Sequence, residues 1–118
     1  LEAIVHPLVT LHSHAKAEQA ADLGHALIVF DIPLLAESGR WARRLDAVVV
    51  VDCSAQTQIE RVMQRSGLAR EVVEGIIASQ ASRPARCAGA DAVIANDAGC
   101  SLGALRLQNR AVARLFGL

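Results

Sequence analysis

Three short apolar runs constrain this chain more than any other feature: Ala26–Asp31, Ala47–Asp52 and Asp91–Ala95. Each is rich in Val or Ile and none alternates cleanly with polar residues, the pattern of strands buried on both faces. Helical sequence surrounds them. Pro7 to Leu23 is Ala-rich and stops at Gly24, and Gln56 to Arg65 carries Ile59, Val62 and Met63 at i, i+3, i+4 spacing. Ala69–Gln80 and Ser101–Phe116 complete the set, and Ser54 and Ser101 are candidate N-caps. Strands separated by helices predict parallel pairing. The expected fold is therefore α/β, an open parallel sheet of three strands with about five flanking helices, one domain over residues 1–118.

Composition agrees with that class. The chain is 53% hydrophobic but only 3% aromatic, so its apolar bulk is aliphatic, as buried strands under Ala-rich helices require. Its net charge is zero, so no global field points to nucleic acid, and no run approaches the ~20 apolar residues that cross a bilayer. Neither partner is expected. Cys53, Cys87 and Cys100 are odd in number and lack C-x-x-C spacing, which predicts free thiols and a reducing, cytoplasmic compartment. His12 and His14, two apart, point to different sides of a helix, so no metal site is expected from them. The chain opens at Leu1 inside helical sequence, which predicts a longer polypeptide.

Several stretches could carry chemistry. The first two runs each end on an acid, Asp31 and Asp52, as in the Walker B pattern where a strand-end aspartate helps hold Mg²⁺ beside phosphates. Two matches in one small domain show how unspecific that pattern is, and for Asp52 a solvated acid near a helix start is the simpler reading. After Asp31, Pro33 fixes the backbone, and Leu34, Leu35 and Glu37 follow. These residues either pack under the next helix or wall a pocket with Glu37 at its rim. Between Arg61 and Arg86 stand five arginines (Arg61, Arg65, Arg70, Arg83, Arg86) against Glu71 and Glu74. Arg61 and Arg65, four apart, share a helical face and either clamp a polyphosphate or form a solvated surface. Gly67 between two helices would let the second swing as a lid. Asn96 ends the third run in a turn that either is only a turn or offers its amide to a base. No G-x-x-x-x-G-K-[ST] or G-x-G-x-x-G occurs, so the chain holds no phosphate-cradling loop.

The ordered series is His6-Pro7, Val-Phe-Asp31-Ile-Pro33-Leu34-Leu35-x-Glu37, Val-Val-Val-Asp52-Cys-Ser, Gln58-Ile-Glu-Arg61-Val-Met-x-Arg65, Gln80-x-Ser-Arg83-x-x-Arg86 and Ala90-Asp91-x-Val-Ile-x-Asn96. Over essentially its whole length the chain resembles the dephospho-coenzyme A kinases, P-loop kinases of the nucleoside-monophosphate-kinase type. That resemblance implies transfer of the ATP γ-phosphate to the 3′-hydroxyl of dephospho-CoA, with Mg²⁺, in the last step of coenzyme A biosynthesis. It implies an acceptor-binding region over about residues 1–40, using His6, Asp31, Pro33, Leu34, Leu35 and Glu37. It also implies a lid over about residues 61–90, whose Arg61, Arg65, Arg83 and Arg86 close on phosphates, with Asn96 near the adenine. Arg65 and Arg83 would stabilise charge during transfer, and Asp31 is a further catalytic candidate. The family's first strand, phosphate loop and catalytic aspartate have no counterpart here. The resemblance thus implies a C-terminal portion with a gap in its sheet, inactive alone. Pro84 and Cys87 depart from the family pattern inside the lid.

Two other enzyme or remnant readings compete: another small-molecule P-loop kinase, which would not need the Pro-Leu-Leu-x-Glu segment, and a non-catalytic fragment. A phospho-receiver module would need a lysine at a late strand end, and Lys16, the sole lysine, lies in the first helix.

Overall fold

The computed structural model describes residues 2–38, 41 and 44–118, with side chains described for 7–37, 41 and 44–118. It divides into two compact units, Leu1–Pro33 and Leu34–Leu118.

The first unit is helix α1 (Glu2–Asp22) and the extended segment after it. The helix begins five residues before Pro7, which sits in its second turn, and stops where Gly24 takes a positive φ of 80°. Gly24 accepts that left-handed turn without the Cβ penalty other residues meet. Past the turn, the His14 and Phe30 rings tilt against each other with centroids 6.2 Å apart. Residues 27–32 form no strand, contrary to the sequence expectation for Ala26–Asp31. A strand needs a neighbour with free N–H and C=O groups, and among the described residues of this unit the one regular element is a helix whose backbone bonds are spent internally. Val29 is accordingly 79% exposed rather than buried.

The second unit holds α2 (Leu35–Ser38), β1 (Val49–Asp52), α3 (Ala55–Ser66), α4 (Arg70–Ala78), α5 (Arg83–Ala88), β2 (Ala92–Ala95) and α6 (Leu102–Leu115). The two strands pair in parallel, with Val49 opposite Ala92 and Asp52 opposite Ala95. Class and parallel pairing match the sequence reading; the described strands number two rather than three. Neither strand is covered on both faces, since Val51 is 63% and Val93 45% exposed. Two strands flanked by short helices have too little covering surface to bury every aliphatic side chain.

Local chemistry sets the helix limits. Ser54 and Ser101 are N-caps as expected, accepting the Thr57 N–H at 3.3 Å and the Ala104 N–H at 3.1 Å. Helix α3 ends where Gly67, at φ 66°, donates its N–H to the Met63 carbonyl at 2.8 Å. Helix α5 accommodates Pro84 because it lies in the first turn, where no intrahelical N–H bond is needed. Among the described residues, the buried apolar ones are Ile59 from α3, Val73 from α4 and Ile94 from β2. Helix α4 packs on α3, and α3 is tied to the turn after β2 through Ser54 and Arg61.

Candidate functional site

The carboxyl ends of β1 and β2 are level, because Asp52 pairs with Ala95. The Asn96 N–H continues the ladder one step further, donating to the Asp52 carbonyl at 2.8 Å. This is the edge of an open α/β sheet where ligands bind. Two arginines reach it from different helices.

Arg83, at the first position of α5, grips the side chain of Asp52 from its Nε edge. Nε lies 3.0 and 2.9 Å from the two carboxylate oxygens, and Nη2 lies 2.7 Å from Oδ2. Only 11% of the Asp52 side chain is exposed, against 54% for Arg83. The hydrogen bond and charge of Asp52 push the Arg83 pKa up, so its guanidinium stays cationic. The reading of Asp52 as a solvated acid is corrected here: a mostly buried carboxylate needs a partner, and Arg83 supplies one.

Arg61, on α3, donates Nη1 to the Asn96 carbonyl at 2.7 Å, with Nη2 at 3.5 Å from both Asn96 Oδ1 and the Asp97 carbonyl. The turn it holds is fixed from the other side by Asp97. The Asp97 carboxylate accepts the Ser54 N–H at 3.1 Å, the Ser54 hydroxyl at 2.8 Å, the Ala98 N–H at 2.9 Å and the hydroxyl of Thr57. These bonds, led by that from Thr57, hold the Asp97 carboxyl well below the usual carboxylate range. Gln108 of α6 clamps the end of β2 as well. Its Oε1 accepts the Ala95 N–H at 2.8 Å and its Nε2 donates to the Ala95 carbonyl at 2.9 Å.

The other sequence candidates stand in different places. Glu37 accepts the Ala81 N–H at 2.8 Å, and Arg86 Nη1 donates to the Ala81 carbonyl at 2.5 Å. Both therefore brace the backbone just ahead of Arg83. Arg65 is exposed and reaches the hydroxyl of its neighbour Ser66, with Nε at 3.5 Å. The structure thus joins Arg61 to Asn96 and Arg83 to Asp52, but ties Arg61 and Arg65 to different partners. Leu34 is 48% exposed and Leu35 half-buried. Asp31 and Pro33 are exposed residues of the first unit. His6 lies on α1, but its side chain falls outside the described residues.

Sequence reasoning missed Thr57, Asp97 and Gln108. Ser54 three residues before Thr57 was a visible signal for a cap, but nothing local marks an aspartate forty-three residues away as its partner. Among the described residues no group of three or more His, Cys, Asp or Glu side chains is placed to hold a metal ion. No described helix is long and apolar enough to cross a membrane.

Comparison with known proteins follows the same lines. A family model for dephospho-CoA kinase matches residues 1–101. The chain is 58% identical over 118 residues to the dephospho-CoA kinase of Albidiferax ferrireducens, covering 100% of this chain and 55% of that protein. It is 56% identical over 98 residues to the Burkholderia thailandensis dephospho-CoA kinase (82% and 46% covered). It is 48% identical over 110 residues to the Bordetella pertussis dephospho-CoA kinase (93% and 50% covered). The crystal structure of TT1252 from Thermus thermophilus superposes with a TM-score of 0.77 at 33% identity, over 98% of this chain and 57% of that one. The chain spans about half the length of the curated relatives it matches.

Proposed function

The chain belongs to the dephospho-CoA kinase family, and we propose that it supplies the lid arginines and acceptor side of an enzyme that phosphorylates the 3′-hydroxyl of dephospho-CoA from ATP. The observation that carries this reading is the pair Arg61 and Arg83, each anchored at the carboxyl end of a parallel strand. Guanidinium groups fixed at that edge suit a polyphosphate: they are planar, always charged and able to bond two oxygens at once. Phosphoryl transfer depends mainly on positioning the phosphates and neutralising charge as it spreads over the moving group.

Arg83 and Arg61 meet the ATP phosphates, and Asn96 faces the base. Arg65 and Arg86 belong to the same lid, Arg86 by bracing Ala81, the residue before the Ser82 cap of α5. By the resemblance, His6, Asp31, Pro33, Leu34, Leu35 and Glu37 belong to the acceptor side, and Asp31 is a further catalytic candidate. The reaction takes place in the cytoplasm.

Family resemblance also implies Mg²⁺ beside the phosphates. The described carboxylates near the arginines do not fit it as ligands, because Asp52 is gripped by Arg83 and Asp97 by Ser54, Thr57 and Ala98. A magnesium ion would add charge neutralisation at the phosphates beside that of Arg61 and Arg83, which bind and orient them.

No phosphate-cradling loop occurs in the sequence, so the 118-residue chain on its own is not expected to turn over. Incubating it with ATP, Mg²⁺ and either dephospho-CoA or AMP tests this: neither acceptor should be phosphorylated. Turnover of dephospho-CoA by the isolated chain at an ordinary kinase rate would contradict the reading.

A further inference from the structure

We infer that Asp52 is a positioning residue that presents Arg83 to phosphate, rather than a ligand of metal or substrate. This rests on the reading of Arg83 as a phosphate-binding arginine. Three features of the contact lead to it.

The contact is made through one edge of the guanidinium. Nε and Nη2 are both engaged by the carboxylate. Nη1 makes no hydrogen bond among the described residues. A two-point grip fixes the guanidinium plane and leaves its far nitrogen free to donate. The anchor is also rigid. Asp52 is the last residue of β1, its own carbonyl accepts the Asn96 N–H, and its side chain is 11% exposed while that of Arg83 is 54% exposed. The buried anchor is therefore the aspartate, and the arginine it holds is more than half exposed. Finally, the residue is braced at its base. Glu37 and Arg86 hold the two backbone groups of Ala81, and Ser82 caps α5 by accepting the Ala85 N–H at 3.3 Å.

Held in this way, Arg83 has already lost the rotamer freedom that an unrestrained arginine gives up on binding. The ion pair persists when phosphate arrives, because the phosphate takes Nη1 and not the edge that Asp52 occupies. A competing arrangement is chemically distinct. If Asp52 merely occupied Arg83 in the empty state, phosphate would displace it, and neutralising Asp52 would strengthen binding. The sign of one substitution separates the two.

The test uses this chain and inorganic tripolyphosphate, followed by NMR of the arginine side chains. In the unmodified chain, the Arg83 Nε–H signal should remain slow to exchange at saturating tripolyphosphate. Its loss on binding would overturn the inference without any substitution, so a variant that fails to fold does not shield it. Asp52→Asn should weaken tripolyphosphate binding by about fivefold, although it removes a negative charge from the site. In the Arg83→Ala background the same change should have no further effect. Tighter or unchanged binding by Asp52→Asn would overturn the positioning role, as would an equal loss with and without Arg83. Should Arg83→Ala bind tripolyphosphate as the unmodified chain does, the phosphate-binding reading of Arg83 itself fails, a different result from failure of the Asp52 role alone.

Discussion

Ser54 and Asp97 lie forty-three residues apart, yet Ser54 gives Asp97 both its backbone N–H, at 3.1 Å, and its hydroxyl, at 2.8 Å. One serine thus caps α3 and ties it to the turn after β2, so the helix bearing Arg61 and the turn bearing Asn96 move as one piece. Thr57, 4% exposed, completes the strap by donating its hydroxyl to the same carboxylate. Thr57→Val keeps the shape and removes the donor, and it should cost about 1 kcal/mol, the net worth of one hydrogen bond to a carboxylate that keeps its bonds from Ser54 and Ala98. Urea unfolding of the chain measures this, and an unchanged midpoint would show that the strap carries no stability.

Acid should weaken the same strap. The Asp97 carboxyl lies below its ordinary value of 3.8 in the folded chain. A depressed folded pKa gives stability that is complete above the unfolded value and is lost as pH falls from there through the folded value. Unfolding free energy should therefore hold from neutral pH to about 5 and decline below about 4 as far as this group is concerned. Asp97→Asn should be less stable than the unmodified chain near neutrality and should show a shallower decline in acid. Parallel pH profiles for the two proteins would contradict the assignment.

Val73 is 1% exposed, and the other buried apolar residues among those described are Ile59 and Ile94. Val73→Ala should cost about 2 kcal/mol, since deleting buried methyls leaves a cavity. So small a core leaves little stability in reserve, and the thermal midpoint should fall clearly. Gly67→Ala tests a different cause: at φ 66° an added Cβ is strained even though nothing stands within 4 Å of it, and about 1 kcal/mol should be lost.

These residues also mark what could be read from the chain without its structure. Ser54, Ser101 and Gly24 announced their caps and stop because capping is local chemistry. The parallel pair Val49–Asp52 with Ala92–Ala95 followed from aliphatic runs separated by helices. Ala26–Asp31 looked the same and formed no strand, because pairing depends on a neighbour that periodicity cannot see. The arginines were legible as a charged cluster, but their partners were not. Asp52 looked solvated and Asp97 was missed, because the contacts that define them cross thirty-one and forty-three positions.

Among the arginines proposed for the lid, the geometry ranks Arg83, held at Asp52, above Arg65. In a full-length kinase carrying this sequence, Arg83→Ala should lower kcat about tenfold or more, the loss expected when charge stabilisation leaves a phosphoryl-transfer site. Arg65→Ala, whose guanidinium reaches its neighbour Ser66, should lower kcat less than Arg83→Ala does. Steady-state kinetics on the two variants compares them, and equal losses would remove the distinction.

The most direct measurement joins Leu1 of this chain to the upstream half of the Albidiferax ferrireducens dephospho-CoA kinase, to which it is 58% identical, and follows ATP-dependent phosphorylation of dephospho-CoA. The chimera should phosphorylate dephospho-CoA in preference to AMP and should lose most of that rate on Arg83→Ala. A folded chimera that preferred AMP, or that worked equally well without Arg83, would contradict the account.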